Sequence, residues 1–352
     1  MASGASTPRT NRSPNNQRMK LETSANLDQL RPFSKRVLDL ECESESNRIC
    51  GWLRAEVGPR FKKKGLVLGL SGGIDSSVVA ALAVRALGRE RVLGLLMPES
   101  HSAPETLPLS QLVAEHLGIE TVHVDITSLL ESAGCYRYQE AAIKNVIPDY
   151  GPGWKSKIVL PGVLETEQYR TFSVVGQSPE GVVTKARLDL NSYLQIVAAT
   201  NFKQRIRKML EYFHADRLNY AVAGTPNRLE YDQGFFVKLG DGAADVKPIA
   251  HLYKSQVYAL AKFLGLPESI CSRPPTTDTY SMSQSQEEFF FSVSYEKLDL
   301  IMYGKNHGYT AAQIAPEVGL NEIQVERVMK DIDAKRKMAT YLHAAPSLVD
   351  SV

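Results

Sequence analysis

Apolar and polar positions fall in alternating blocks along this chain. "GLVLGL" (Gly65–Leu70) is a continuous apolar run of strand length, and "SSVVAALAVRALG" after it carries helical spacing closed by Gly88. "RVLGLLMP" is a second buried strand, "APETLPLSQLVAEHLG" a second helix and "ETVHVDI" a third strand. Strands this apolar are covered on both faces, so the alternation predicts a parallel sheet with helices on either side. Upstream, Val37, Leu38, Leu40, Ile49, Trp52, Leu53 and Val57 predict a helix over residues 34–58. Between Thr127 and Leu190 the alternation stops: "PDYGPGWKSKIVLPG" is broken by Gly and Pro, and a hairpin is expected around Ser178–Gly181. This extended segment, 127–190, reads as an excursion from the sheet. A long helix from Asn191 to Ala215 and a strand in "LNYAVAGT" resume the core. The chain is then loop-rich to Pro275 and mostly helical beyond it.

The ends read differently. Residues 1–30 are rich in Ser, Asn, Thr, Arg and Pro, without the apolar centre of a secretory signal, and are expected to be a disordered tail. Residues 343–352 read as a second tail, leaving one domain over 31–342. A net charge of +2 gives no reason to expect nucleic acid or an anionic membrane. The cysteines Cys42, Cys50, Cys135 and Cys271 form no zinc-like spacing and suggest a reducing, cytoplasmic setting.

The chemistry concentrates where the first strand meets its helix. A strand, a glycine-containing turn and a helix N-terminus aim backbone N–H groups at one point, where the helix dipole is positive. Gly69, Ser71, Gly72, Gly73, Ser76 and Ser77 are therefore candidates to hold phosphate. The loop lacks the lysine of the common P-loop and offers Asp75, a carboxylate suited to carrying Mg²⁺ to the phosphates.

"SGGIDSS" (Ser71–Ser77) resembles the signature loop of the ATP pyrophosphatase, or PP-loop, superfamily. "GTPNRLE" (Gly224–Glu230), "GFFVKLGDGAADVKPIAHLYKSQV" (Gly234–Val257) and "RPPTTD" (Arg273–Asp278) follow in the order found in ammonia-dependent NAD synthetases. The resemblance spans residues 35–340. It implies an α/β, doubly wound, mainly parallel fold of the adenine nucleotide alpha hydrolase-like kind, with a helical C-terminal region. It also implies ATP- and Mg²⁺-dependent amidation of deamido-NAD by ammonia through an acyl-adenylate, in a homodimer, with a separate glutaminase as a possible ammonia source. By the same resemblance, Asp75 and Glu230 hold the metal, Thr225, Lys254 and Thr276 join the loop in binding ATP, and Asp75 and Lys254 are catalytic. Arg205, Lys238, Asp245 and Lys335 are expected on deamido-NAD. Arg205 flanks the apolar stripe Phe202, Ile206, Met209, Leu210 and Phe213, whereas Arg207 and Lys208 read as solvated and Asp241 as a turn residue.

Three departures stand out: the long segment 127–190, Pro226, Arg228 and Leu229 inside the second motif, and Ala334-Lys335 in place of a His-Lys pair. They keep open a related ligase with another carboxylate acceptor, and a nucleotide-binding protein without catalysis. The pair of helices around Gly319 faintly resembles a helix-turn-helix, but Glu322, Glu326 and Asp331 on its second member would repel a DNA backbone.

Overall fold

The computed structural model describes residues 32–160, 171–276 and 279–350; the expected tail over 1–30 lies outside them. A 3₁₀ turn (Lys35–Leu38) precedes α1 (Cys42–Ala55), and a π turn (Glu56–Arg60) ends it. The single helix expected here is thus three pieces: Asp39 leaves the helical region (ψ 136°) after the 3₁₀ turn, and Pro59, which has no N–H to donate, lies in the π turn that follows α1. The alternation follows: β1 (Leu66–Gly69), α2 (Ile74–Leu87), β2 (Val92–Leu96), α3 (Thr106–Leu117) and β3 (Glu120–His123).

The segment 127–190 leaves the main sheet, as expected, and holds more structure than the one expected hairpin. Two helices, α4 (Thr127–Ser132) and α5 (Cys135–Lys144), come first. An antiparallel sheet of β4 (Lys155–Val159), β5 (Ser173–Gln177) and β6 (Val183–Arg187) follows, in that order. The expected hairpin joins β5 to β6: Gly181 has φ +86°, and Ser178 N–H donates to the Val182 carbonyl at 2.9 Å.

Next come α6 (Leu190–Leu218), β7 (Ala221–Val222), α7 (Arg228–Gln233), α8 (Lys254–Phe263) and α9 (Glu268–Cys271). The chain ends in α10 (Tyr295–Asn306), α11 (Ala311–Val318) and α12 (Glu322–His343). The helix-turn-helix-like pair is α11 and α12, and both bury apolar side chains in one C-terminal cluster with α10.

The main sheet is parallel, in the order β3-β2-β1-β7. From β1 the chain winds outward through β2 to β3, then returns to add β7 on the other side. The order therefore reverses at β1, and the crevice beyond its carboxyl end is where open α/β sheets bind ligands. Alternation along the strands builds two cores. Leu66, Leu68, Val92, Ala221 and Ala223 pack with α1, α2 and α8, whereas Val67, Leu93, Leu95 and Val222 pack with α4, α5 and α6. At about 25 cal/mol per Å² of apolar surface buried, such double coverage dominates the stability of the sheet.

Candidate active site

The loop after β1 is held in shape by its own serines. Ser76 Oγ and Ser77 Oγ donate to the Gly73 carbonyl at 3.0 and 2.8 Å, and Gly73 N–H donates to Ser71 Oγ at 3.3 Å. Gly72 has φ +68°, and a Cβ there would lie 2.6 Å from the Leu109 Cβ, so both backbone and space require glycine. Gly73 caps α2 in an extended conformation, which turns the first N–H groups of the helix toward the crevice.

Asp75, in that first turn, receives two donors from distant parts of the chain. Lys254 Nζ, on the first residue of α8, forms an ion pair with Oδ2, and Asn227 Nδ2 donates to Oδ1 at 3.0 Å. Asn227 is also the cap of α7: its Oδ1 accepts from Glu230 N–H at 3.3 Å, and Glu230 Oε2 accepts from Asn227 N–H at 3.2 Å. Gln286 Nε2 donates to Glu230 Oε1 at 2.9 Å. One asparagine thus ties the two acids into a single constellation.

Burial and the neighbouring Asp75 push the Glu230 carboxyl up to about 7, with Lys254 opposing. Burial also works against the Lys254 ammonium, but Asp75 and Glu230 more than offset it and raise its pKa. Asp299, fully buried, accepts from the backbone N–H groups of Lys254 and Ser255 at 3.2 and 2.7 Å and fixes the start of α8. Among the described residues no group of three or more His, Cys, Asp or Glu could hold a metal. Asp75 and Glu230 supply two carboxylates, and the remaining oxygens of a Mg²⁺ shell would come from phosphate and water, the usual arrangement for that ion.

The constellation opens into a cleft of about 590 Å³. Gly69, Ser71, Gly73, Asp75, Ser76, Thr225, Glu230 and Thr276 line it, and Lys254 and Arg273 line a smaller recess beside Asp75. Gly72 and Ser77, expected to bind ATP, do not line the cleft. Thr277 and Asp278 of the fourth motif lie outside the described residues.

The structure corrects the polarity of α6. Lys208, expected in solvent, is buried and pairs with buried Glu211 at 2.6 Å, and Arg207 Nε donates to the Met97 carbonyl at 3.2 Å. All three line the cleft, with Asp241, because this face of α6 runs beside the end of β1. Glu211 Oε1 would stand 3.0 Å from a Cβ at Gly69. Conversely, Met209 and Phe213 of the expected apolar stripe are exposed.

Arg205, Lys238, Asp245 and Lys335 do not line the cleft, and each is bonded to protein. Arg205 Nε donates to the Lys238 carbonyl at 3.3 Å, and Lys238 Nζ donates to the carbonyls of Tyr341 and Ala344 at 2.8 and 3.1 Å. Asp245 accepts from Val222 N–H at 2.7 Å, bracing β7, and Lys335 Nζ donates to the Phe290 carbonyl at 2.6 Å. The four cysteines are free thiols, and burial pushes each of them up, away from the thiolate a nucleophile needs.

Asn227, Arg207, Lys208, Glu211, Asp241 and Gln286 are site residues that the sequence reading did not assign. Only Asn227 carried a local signal, the capping spacing Asn-x-x-Glu.

A cradle of backbone N–H groups beside paired acids at the switch point of a doubly wound sheet defines a nucleotide-dependent α/β protein. The NAD synthase family model matches residues 45–147 and 178–339. A Rhizobium meliloti (strain 1021) protein named NH(3)-dependent NAD(+) synthetase is 58% identical over 320 residues, covering 91% of this chain and 96% of the relative. The chain belongs to the NAD synthase family. In fold it is similar to an NMN synthetase from Francisella tularensis (TM-score 0.62, 22% identity, 89% of this chain and 100% of that one). It is similar also to an NH3-dependent NAD synthetase from Campylobacter jejuni (TM-score 0.57, 24% identity, 89% and 100%).

Proposed function

We propose that this chain amidates deamido-NAD to NAD with ammonia, at the expense of ATP, releasing AMP and pyrophosphate. The observation that carries the reading is the Asp75–Asn227–Glu230–Lys254 constellation at the mouth of the phosphate cradle, in a chain of the NAD synthase family. A carboxylate cannot be displaced by ammonia until its oxygen becomes a leaving group. One acceptor carboxylate oxygen attacks the α-phosphorus of ATP and pyrophosphate departs; ammonia then adds to the acyl carbon, loses a proton, and AMP leaves with that oxygen.

The residues divide this work. The N–H groups at the start of α2, with Ser71, Gly73 and Ser76, hold the departing pyrophosphate, as helix N-termini hold anions generally. Lys254 places a buried positive charge beside it, where charge stabilisation in a low-dielectric site counts most. Asp75 and Glu230 would hold Mg²⁺, which when bound neutralises phosphate charge. Thr225 and Thr276 line the cleft, and their hydroxyls would contact the nucleotide there. For Arg205, Lys238, Asp245 and Lys335 a role toward deamido-NAD rests on the motif match, and requires each to exchange its present protein contacts for substrate.

We place the activity in a homodimer in the cytoplasm, fed by free ammonia or by a separate glutaminase. No helix among the described residues is long and apolar enough to cross a membrane. The test is incubation of the purified chain with ATP, Mg²⁺, ammonium and deamido-NAD. NAD and AMP in equal amounts are expected, and ATP binding without NAD would contradict the reading.

A further inference from the structure

The sheet β4-β5-β6 does more than lengthen the chain. β4 and β5 fall within residues 148–177, the stretch between the two segments matched by the family model. The sheet is nevertheless built into the cleft. Ile158 and Val174 are buried with Ile143, Ile147 and Ile196 of the adjoining helices and loop. The outer edge of β4 is zipped to the segment after the fourth motif: Ser156 N–H donates to Ser281 Oγ at 2.9 Å, Met282 N–H to the Ser156 carbonyl at 3.1 Å, and Gln284 Nε2 to the Ile158 carbonyl at 2.5 Å. That same segment carries Gln286, the donor to Glu230. Wall and catalytic acids are therefore mechanically continuous.

Through this sheet the cleft acquires an apolar end. Ile158 and Phe172 line it together with Tyr193 and Val197 from the start of α6. Phe172 and Tyr193 are stacked, with ring centroids 4.3 Å apart and planes at 15°, and both are only partly buried. The polar end, with its cradle and paired acids, suits a triphosphate. An aromatic face in the same cleft suits a flat ring, since offset stacking on an aromatic side chain is favourable beyond the area it buries.

Resting on the function proposed above, we infer that β4-β5-β6 is a selecting wall for the acceptor, in which Phe172, braced by Tyr193, stacks on a heteroaromatic ring of the dinucleotide. The sheet then makes the chain discriminate among carboxylate acceptors by the aromatic ring they carry.

Steady-state kinetics on the full chain test this, with ATP, Mg²⁺ and ammonium, and with deamido-NAD or nicotinic acid mononucleotide as acceptor. Phe172→Ala is expected to raise the KM for deamido-NAD about tenfold, the loss of one stacking face, while kcat and the KM for ATP stay within about twofold. Phe172→Trp is expected to restore the acceptor KM. Should Phe172→Ala unfold, Phe172→Leu keeps the apolar bulk without the π face and carries the same expectation. A matching rise with the mononucleotide assigns the wall to the pyridine ring, and a rise with deamido-NAD alone assigns it to the adenine; either supports the inference. An unchanged acceptor KM, or acceptor and ATP KM rising together with a lowered Tm, overturns it and leaves the proposed function intact. A wild-type chain that makes no NAD from deamido-NAD overturns both.

Discussion

Lys254 and Asp75 meet in an ion pair although 179 residues separate them in sequence. The pair closes the main sheet functionally: Asp75 rides on the helix leaving β1, and Lys254 opens α8, which packs against that helix through Val257, Leu260 and Ala261. Packing of α2 on α8 is thus what sets the distance between the acid and the cation, and the hydrophobic core carries the geometry of the site.

Asp75→Asn keeps the shape and a hydrogen-bond acceptor for Lys254 but removes the charge that would attract Mg²⁺. A fall in kcat/KM of roughly a hundredfold or more is expected, with a lowered Tm as well, because the buried Lys254 ammonium loses its ion-pair partner. Titrating Mg²⁺ against initial rate checks the assignment; a wild-type Mg²⁺ profile refutes it.

Gly72→Ala forces a side chain into left-handed backbone and against Leu109. The backbone cost of about 1–2 kcal/mol adds to overpacking of about 1–3 kcal/mol. Urea unfolding is expected to show the sum, and ATP binding to weaken because the cradle shifts with the loop.

Lys208 and Glu211 are a buried pair beside Gly69. Lys208→Met strands Glu211 without its cation, a loss of about 3–5 kcal/mol for buried pairs. The double variant Lys208→Met/Glu211→Gln is expected to recover most of it, and a double-mutant cycle in chemical denaturation reads the coupling.

His101 is partly buried beside Lys203, whose Nζ lies 3.0 Å from His101 Nδ1 and 2.9 Å from Glu99 Oε1. Burial, then Lys203, pushes the imidazole from 6.5 down to about 4, with Glu99 opposing. The unfolded chain therefore binds more protons than the folded one across this window. The contribution is complete above pH 6.5 and is lost as pH falls through about 4, with a ceiling of roughly 3 kcal/mol. His101→Gln is expected to flatten the acid limb of a Tm-against-pH curve, and an unaltered limb would contradict the assignment.

How far the sequence could be read follows from what its signals report. Continuous apolar strands and the Ser71–Ser77 turn are local features, so the parallel sheet and the cradle were legible from them. The burial of Lys208 was not, because helical periodicity records one apolar face toward a core and is blind to a second, polar face lining a cleft. Nor was the role of Asn227, whose capping spacing shows how α7 starts but not that Asp75 waits across the cleft. Within 127–190 the β5–β6 hairpin was legible from its turn at Ser178–Gly181, but β4 was not, because its five residues follow a stretch broken by Gly and Pro and pair with a strand 14 residues further on.

The most direct measurement follows the oxygen that adenylation moves. Deamido-NAD labelled with ¹⁸O in its carboxylate is incubated with the purified chain, ATP, Mg²⁺ and ammonium, and the products are resolved by mass. The account predicts one label in AMP for each NAD formed. Label in inorganic phosphate, with ADP as the nucleotide product, would contradict it.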